Sequence, residues 1–350
     1  MTSASSQVDA ARRNDQPGSD FAELSRAIRQ AGLLRRRYGY YARASGLSIV
    51  AFAGAWVIFG FLGNSWWQLF VAAFLGIVCT HLSFIGHDAG HKQIFRSRRA
   101  NDAFGLLLGG LVGLSYGWWI AKHNRHHANP NHEDDDPDLN MPALAFTSGQ
   151  GLAKVGLTRW IAKYQAYLFF PLLLLEGLNL HVVSVQAVWR GQVKAGRLEK
   201  VLLAAHVGAY LTAVFVVLSP GVAVLFVVVH QCVWGVYMGC SFAPNHKGMP
   251  TLPKGHTLDF LRKQVLTSRN VVAAGWVDVT FGGLNYQIEH HLFPNMPRPN
   301  LRRARPIVRD YCRARGIDYT ECGVFRSYGT VLAHLHAVGA PLRRPAAQRP

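Results

Sequence analysis

Residues 44–86 read ASGLSIVAFAGAWVIFGFLGNSWWQLFVAAFLGIVCTHLSFIG, 43 residues without an Asp, Glu, Lys or Arg. Uncharged apolar tracts of at least ~18 residues read as membrane-spanning helices. At 1.5 Å per residue one continuous helix of this length would reach about 65 Å. A bilayer core is ~30 Å thick, so the tract crosses twice. Gly63-Asn64-Ser65 marks the break, and Trp66 and Trp67 suit the membrane–water interface. A second uncharged tract, residues 201–245, holds 45 residues and breaks at Ser219-Pro220-Gly221. The expected spans are 46–63, 66–86, 201–218 and 222–242, two helical hairpins. Neither turn carries Lys or Arg, whereas Arg43, Lys92, Lys200 and Lys247 flank the hairpins. That asymmetry places both turns outside and both termini in the cytoplasm.

Working outward, the composition agrees. The 350 residues are 50% hydrophobic and only 16% charged, against roughly 25% charged in soluble domains. A soluble enzyme, a disordered chain and a disulfide scaffold are therefore poor readings. The formal net charge of +18 lies outside the two apolar tracts, with +10 in residues 246–350. Basic segments beside anionic lipid headgroups account for it. No nucleic-acid module accompanies the charge, so nucleic acid is not an expected partner. The cysteines (Cys79, Cys232, Cys240, Cys312 and Cys322) are odd in number and lack a Cys-x-x-Cys pair. A disulfide framework and a thiolate metal site are both disfavoured.

Residues 1–43 read as a partly disordered cytosolic segment rather than a cleavable signal. Residues 44–340 form the main domain, and the Pro- and Arg-rich end 341–350 reads as a disordered tail. Residues 103–121 carry no charge and 164–189 only Glu176. Composition alone allows either to span.

The chain has 16 histidines, and three groups stand out: His87-Asp88-Ala89-Gly90-His91, His123-Asn124-Arg125-His126-His127 and Gln287-Ile288-Glu289-His290-His291. Residues at i, i+3 and i+4 share a helix face, so each group converges. Imidazole suits Fe, Cu, Zn and Ni. A single tetrahedral zinc takes three or four ligands, so seven imidazoles point to two metal ions. A zinc hydrolase would leave two groups unused, and no Glu-x-x-His pair of the soluble di-iron bundles occurs. For His81, His181, His206, His230, His256, His334 and His336 the bland reading, a packed or solvated histidine, is preferred.

The order His-x-x-x-His, His-x-x-His-His, Gln-x-x-His-His resembles the membrane fatty acid desaturase family. HNRHHANPNHEDDDPDL (123–139), SFAPNHKGM (241–249) and NYQIEHHLFPNMPR (285–298) are similar to actinobacterial acyl desaturases. The resemblance covers roughly residues 35–340. It implies an all-α integral membrane protein of the bacterial cytoplasmic membrane, with four transmembrane helices and a cytosolic helical cap holding two ferrous ions. The implied ligands are His87, His91, His123, His126, His127, His290 and His291. An eighth, His246, stands in Asn245-His246-Lys247. Gln287 occupies the place of a histidine in many relatives, and with Asn245, Asp88 and Glu289 it is expected to line or orient the site. A shared centre requires all three groups on one side of the bilayer, so 103–121 and 164–189 become interfacial or re-entrant segments. The acidic run Glu133, Asp134, Asp135, Asp136, Asp138 reads either as a solvated turn or as acceptors for histidine N–H groups. Tyr116, Trp118 and Trp119 read as tunnel lining or as interface anchors.

The implied activity is oxygen-dependent desaturation of an acyl chain, as acyl-CoA or acyl-lipid, with a stearoyl-type Δ9 position expected, although the Gln287-Ile288-Glu289-His290-His291 box also resembles desaturases that act between an existing double bond and the carboxyl end. The protein's part is to hold one C–C bond beside the metals in a dry channel. The chain lacks the haem motif His-Pro-Gly-Gly, a dinucleotide fingerprint and an iron–sulfur cysteine pattern. A separate donor, a ferredoxin or an NAD(P)H-dependent reductase, must then supply electrons. Two alternatives stay open. One is a membrane hydroxylase of lipid, alkane or carotenoid; the other is a metal-binding membrane transporter, which would place its ligands within the spans.

Overall fold

The computed structural model describes residues 19–272 and 275–344. In chain order the first helices are α1 (Ser19–Gln30), α2 (Tyr38–Leu62), α3 (Gln68–Gly90), α4 (Arg98–Val112) and α5 (Tyr116–Ala128). Then come α6 (Ser148–Ala153), α7 (Gly156–Leu173), α8 (Glu176–Trp189), α9 (Gly196–Val217), α10 (Pro220–His246) and α11 (Phe260–Leu266). Strand β1 (Asn270–Val271) leads into α12 (Gly275–Thr280), α13 (Gln287–Leu292) and α14 (Arg298–Ala314). Strand β2 (Glu321–Cys322) precedes α15 (Val324–Arg343). The strands pair in parallel, Asn270 opposite Glu321 and Val271 opposite Cys322.

Four helices, α2, α3, α9 and α10, are long and apolar enough to cross a membrane. The chain is a multi-pass membrane protein. The four expected spans overlap these helices, with Gly63, Trp66, Trp67 and Leu218 falling just outside, while α2 begins earlier, at Tyr38, and α10 continues to His246. Each α2–α3 and α9–α10 hairpin closes where the sequence breaks. At the first, Gly63 adopts φ +55. The buried Gln68 amide donates to the Gly63 and Phe59 carbonyls at 2.8 and 2.7 Å, satisfying groups a helix end leaves open. The two turns meet, since the Ser219 N–H donates to Asn64 Oδ1 at 2.9 Å. Both turns therefore lie on one side, as the charge asymmetry requires.

The chain divides into two compact units. One draws on Arg36–Lys122 and Phe170–Cys240, the other on Met1–Arg35, His123–Phe169 and Ser241–Pro350. In the first, Ala55 and Phe59 of α2, Val71 and Leu75 of α3, Tyr210 and Val214 of α9 and Phe226 of α10 form one apolar cluster. The outward side chains of α2 and α9, among them Val50, Phe61, Val201 and Val216, remain exposed. An apolar exterior on a helix bundle is what lipid solvates.

The two ambiguous apolar stretches are not straight helices. α4 and α5 meet at 112° across a break at Gly113, whose φ is +74. α7 and α8 meet at 85° just after Pro171. Both bends suit re-entrant or interfacial segments.

In the second unit, α14 buries Leu301, Ala304, Val308 and Cys312 along one stripe, the i, i+3, i+4 spacing of an amphipathic helix. Leu24 and Ile28 of α1, Leu261 and Val265 of α11, and Ile288 and Leu292 of α13 pack on it. Ion pairs from Arg262 (3.1 Å) and Arg315 (3.4 Å) to Asp20 hold α1 in place. Of the segment 1–43 expected to be partly disordered, residues 1–18 lie outside the described residues, and from Ser19 the chain is already in α1. The tail expected from 341 needs correction, because α15 continues to Arg343. Leu342 is buried beside Ala145, Ala162 and Val338, and Arg343 donates to the Lys163 carbonyl at 2.9 Å. Those contacts outweigh the helix-breaking preference of Pro341. Residues 345–350 lie outside the described residues.

Candidate metal centre

Helix α5 carries the second histidine group, and its spacing works as read. His123 and His127, one turn apart, bring their Nε2 atoms to 3.1 Å. Short helix α13 carries the third group, wholly buried from Gln287 to Leu292. His246 is the last residue of α10. Pro244 leaves this helix end short of internal hydrogen bonds, and the buried Arg269 compensates. Its backbone N–H reaches the Asn245 carbonyl at 2.9 Å, and its guanidinium the Pro244 and Lys247 carbonyls at 2.6 and 2.5 Å.

Three imidazoles from three separate segments converge. His246 Nε2 lies 3.3 Å from His126 Nε2 and 3.1 Å from His291 Nε2. The opposite nitrogen of each ring is already engaged. His126 Nδ1 faces both Asp136 oxygens at 3.0 Å, His246 Nδ1 the Thr267 carbonyl at 3.0 Å, and His291 Nδ1 the Gln264 Oε1 at 2.9 Å. All of these are acceptors, so each Nδ1 carries a proton, and in its neutral form each ring turns its Nε2 lone pair to the common point. One proton on His126 would relieve one contact, but the His246 and His291 lone pairs would still oppose each other. A cation at the centre satisfies all three. These ligand atoms lie within 4.8 Å of one another, and neutral imidazoles suit a borderline transition metal. The residues therefore fit a metal ion.

His127 links this trio to a further pair. Its ring stacks on His291 at 4.2 Å between centroids and lies 4.8 Å from His290, which is 6.4 Å from His123. Every predicted histidine of the second and third groups, with His246, is thus drawn into one cluster within its unit.

His87 and His91 belong to the other unit, at the end of α3. Their ring centroids are 4.7 Å apart, and Trp119 lies 5.4 Å from His87. Asp88 Oδ1 stands 3.2 Å from His87 Nδ1. The buried Tyr41 hydroxyl reaches Asp88 Oδ2 at 3.1 Å and Gln93 Oε1 at 2.8 Å. A Cβ on Gly90 would sit 2.5 Å from the Trp119 ring, so this glycine admits the indole beside the pair.

The remaining expected residues have distinct positions. Gln287 Nε2 donates to His246 Nε2 at 2.8 Å, while its Oε1 faces Asn245 Nδ2 at 3.4 Å. Asn245 also donates to the Leu284 carbonyl at 3.1 Å, holding the approach to α13. Glu289 turns away from the imidazoles. It accepts from the Tyr319 hydroxyl at 2.6 Å and Asn270 Nδ2 at 2.8 Å, anchoring α13 to β1. Burial pushes its carboxyl up to about 7 against those two donors.

The acidic run divides. Asp136 is buried and faces His126, and Asp138 lies 3.5 Å from the same ring. Glu133, Asp134 and Asp135 are exposed, as a solvated turn would be. Burial alone would lower the His126 pKa, but Asp136 and Asp138 outweigh it and hold the imidazole above its usual value. Burial likewise works against Asp136, yet its partner His126 keeps the carboxyl below the usual range. Asn131, in the left-handed region at φ 55, ties this loop to α10 by donating to the His246 carbonyl at 3.1 Å. Asn131, Gln264, Thr267 and Tyr41 carry no sequence signal, because amides, hydroxyls and carbonyls occur everywhere. Of the histidines read as ordinary, His181 is spent on the Gly113 carbonyl, His230 on the Tyr210 hydroxyl and His334 on the Phe146 carbonyl.

The fatty acid desaturase family model matches residues 64–323. The chain is 28% identical to a Delta(8)-fatty-acid desaturase of Helianthus annuus, over 93% of this chain and 74% of the relative. It is 28% identical to Delta(6)-fatty-acid desaturase fat-3 of Caenorhabditis elegans, over 93% and 76%. It is also 31% identical to Fatty acid desaturase 3 of Bos taurus, over 88% and 70%.

Proposed function

This chain belongs to the fatty acid desaturase family, and from that premise we propose that it inserts a cis double bond into an acyl chain at a histidine-held centre of two ferrous ions. The observation that supports the reading best is the convergence of the His126, His246 and His291 Nε2 atoms, each with its Nδ1 anchored. The assigned ligands are His123, His126, His127, His246, His290 and His291 in one unit, with His87 and His91 added on their motif. Two irons supply the activation of dioxygen that removal of hydrogen from an unactivated methylene requires.

The protein's own residues do the rest. Asp136, Thr267 and Gln264 fix which imidazole nitrogen faces the centre. Gln287 hydrogen-bonds the lone pair that His246 would offer a metal, so its amide would have to release that nitrogen for His246 to hold an ion. His126, His246, His290 and His291 are buried away from bulk water, which suits a reaction that water would divert. The chain's membrane helices place it where acyl substrates dissolve. Electrons come from a separate ferredoxin or NAD(P)H-dependent reductase, and the active site faces the cytoplasm of a bacterial inner membrane.

For position, the actinobacterial motif resemblance supports a stearoyl-type Δ9 enzyme acting on acyl-CoA or acyl-lipid. A second reading has its own support: the relatives above carry Δ8 and Δ6 names, and Gln287 replaces the histidine of many relatives. Expression in a host lacking the enzyme, followed by mass spectrometry of derivatised fatty acids, tests all of this. A new alkene supports desaturation, and its position chooses between the two readings. A hydroxylated product would replace desaturation with hydroxylation. Loss of iron and product in His126→Ala or His290→Ala would separate both from metal transport.

A further inference from the structure

Gln264 touches both the second and the third histidine groups with one side chain, without being a histidine itself. It sits on α11, whose first turn is capped by Asp259, with Oδ1 accepting from the Arg262 N–H at 2.9 Å. Leu261 and Val265, on either side in sequence, belong to the same apolar cluster as Leu292 of α13. That packing brings Gln264, itself fully buried, between α5 and α13. Its Nε2 donates to the His127 carbonyl at 2.9 Å. Its Oε1 accepts from His291 Nδ1 at 2.9 Å.

The orientation of this amide is forced. The His127 carbonyl only accepts, so the NH2 group must face it and the oxygen must face His291. His291 Nδ1 then has to be the protonated nitrogen. Its Nε2 lone pair is left pointing at His246, 3.1 Å away. The same amide satisfies a carbonyl near the C-terminus of α5, which has no further helical partner. One end of Gln264 therefore sets a tautomer and the other sets the spacing between α5 and α13.

We propose that Gln264 is a positioning residue for the metal centre: it locks His291 as an Nε2 donor and fixes the third histidine group against the second. The inference rests on the metal-centre reading above. Removing an outer partner of a ligating histidine typically costs 10–100-fold in metal affinity. Gln264→Leu keeps the volume and loses both hydrogen bonds. Gln264→Glu keeps the shape and the acceptor for His291 Nδ1, with a stronger pull on its proton, but offers no amide donor to His127.

The test uses the full chain in detergent micelles, stripped of metal and titrated with Co2+, whose visible bands report ligand geometry. The metal-free variants are first compared with wild type by circular dichroism and thermal melting. Gln264→Leu is expected to bind Co2+ about 10–100-fold more weakly, as for other outer partners of ligating histidines. Gln264→Glu is expected to bind within a few-fold of wild type with displaced visible bands. Wild-type affinity and bands in Gln264→Leu would overturn the proposal. So would undisplaced bands in Gln264→Glu, which carries the test alone if the leucine variant does not fold. A Glu variant as weak as the Leu variant would remove the tautomer role and overturn the proposal too. If wild type itself bound no Co2+ or Fe2+, the metal-centre reading would fail instead, and the two failures are distinguishable.

Discussion

Asp136 clasps His126 with both carboxylate oxygens 3.0 Å from Nδ1, across a loop of nine intervening residues. The same carboxylate accepts the Asn131 N–H at 2.8 Å and the Asp138 N–H at 2.9 Å. It thus shapes the loop and sets the ring together. Asp136→Asn keeps one acceptor oxygen and loses the charge. Metal retention after dialysis against a chelator should fall about 10–100-fold, the usual cost of losing such a partner. Asp136→Ala should in addition lower the melting temperature of the metal-free protein, since it strands buried N–H groups at roughly 1–3 kcal/mol each. An Asp136→Ala variant with unchanged metal content and melting temperature would show that the clasp contributes nothing.

Helices α8 and α10 touch backbone to backbone. A Cβ on Gly235 would fall 2.5 Å from both the Gly177 nitrogen and the Leu173 carbonyl oxygen. Neither obstacle is a side chain that can swing away, so Gly235→Ala must part the helices. Overpacking of this kind costs about 1–3 kcal/mol, and small residues are what allow membrane helices to approach. Thermal melting in detergent should place Gly235→Ala well below wild type. Gly221→Ala, where the added methyl meets nothing within 4 Å, should melt close to wild type.

His334 gives its own unit a pH dependence that does not involve the histidines proposed as metal ligands. Its Nε2–H donates to the Phe146 carbonyl at 3.1 Å. Burial lowers its pKa, reinforced by Lys247 and Arg269 and only partly opposed by that hydrogen bond. A depressed histidine pKa means the folded state prefers the neutral ring. Its contribution is present above the unfolded pKa near 6.5 and is lost as pH falls through the folded value. Melting temperature should therefore drop more steeply below about pH 6.5 in wild type than in His334→Gln, whose amide still donates to Phe146. Parallel pH curves for the two proteins would refute this.

The membrane architecture was legible because hydrocarbon imposes a one-dimensional rule: charge is excluded over a fixed length. The turns at Gly63 and Ser219 and the four long helices follow from it. The histidine groups were legible because helical spacing makes i, i+3 and i+4 converge without knowledge of the fold. His246 could be named only through its resemblance to relatives, for a lone histidine at a helix end has no spacing to betray it. Gln264 and Thr267 were not legible at all. Their roles depend on α11 lying beside α5 and α13, which is decided by packing of Leu261 and Val265 and not by any local pattern. The direction of Glu289 was likewise hidden, since Tyr319 and Asn270 approach it from distant segments.

The N-terminus of α5, the helix that presents the second histidine group, is held from α9 by a buried acid. Glu199 accepts from the Ser115 hydroxyl at 2.5 Å and from the Gly117 N–H at 3.2 Å. Ser115 Oγ in turn accepts from the Trp118 N–H at 3.1 Å, capping the helix. The carboxylate gets this close because residue 117 has no side chain: a Cβ there would lie 2.6 Å from Glu199 Oε1. A negative charge at a helix N-terminus is favourable by about 0.3–1 kcal/mol, more when partly buried. Glu199→Gln keeps an acceptor and should lose little more than that charge term. Glu199→Ala strands the Ser115 and Gly117 donors and should cost about 1–3 kcal/mol. Gly117→Ala should resemble Glu199→Ala, because the methyl displaces the carboxylate. In the double variant Glu199→Ala/Gly117→Ala the two losses should not add, since both remove one contact. Fully additive losses in thermal melting would mean that Glu199 and Gly117 act independently and that α5 is not held from this point.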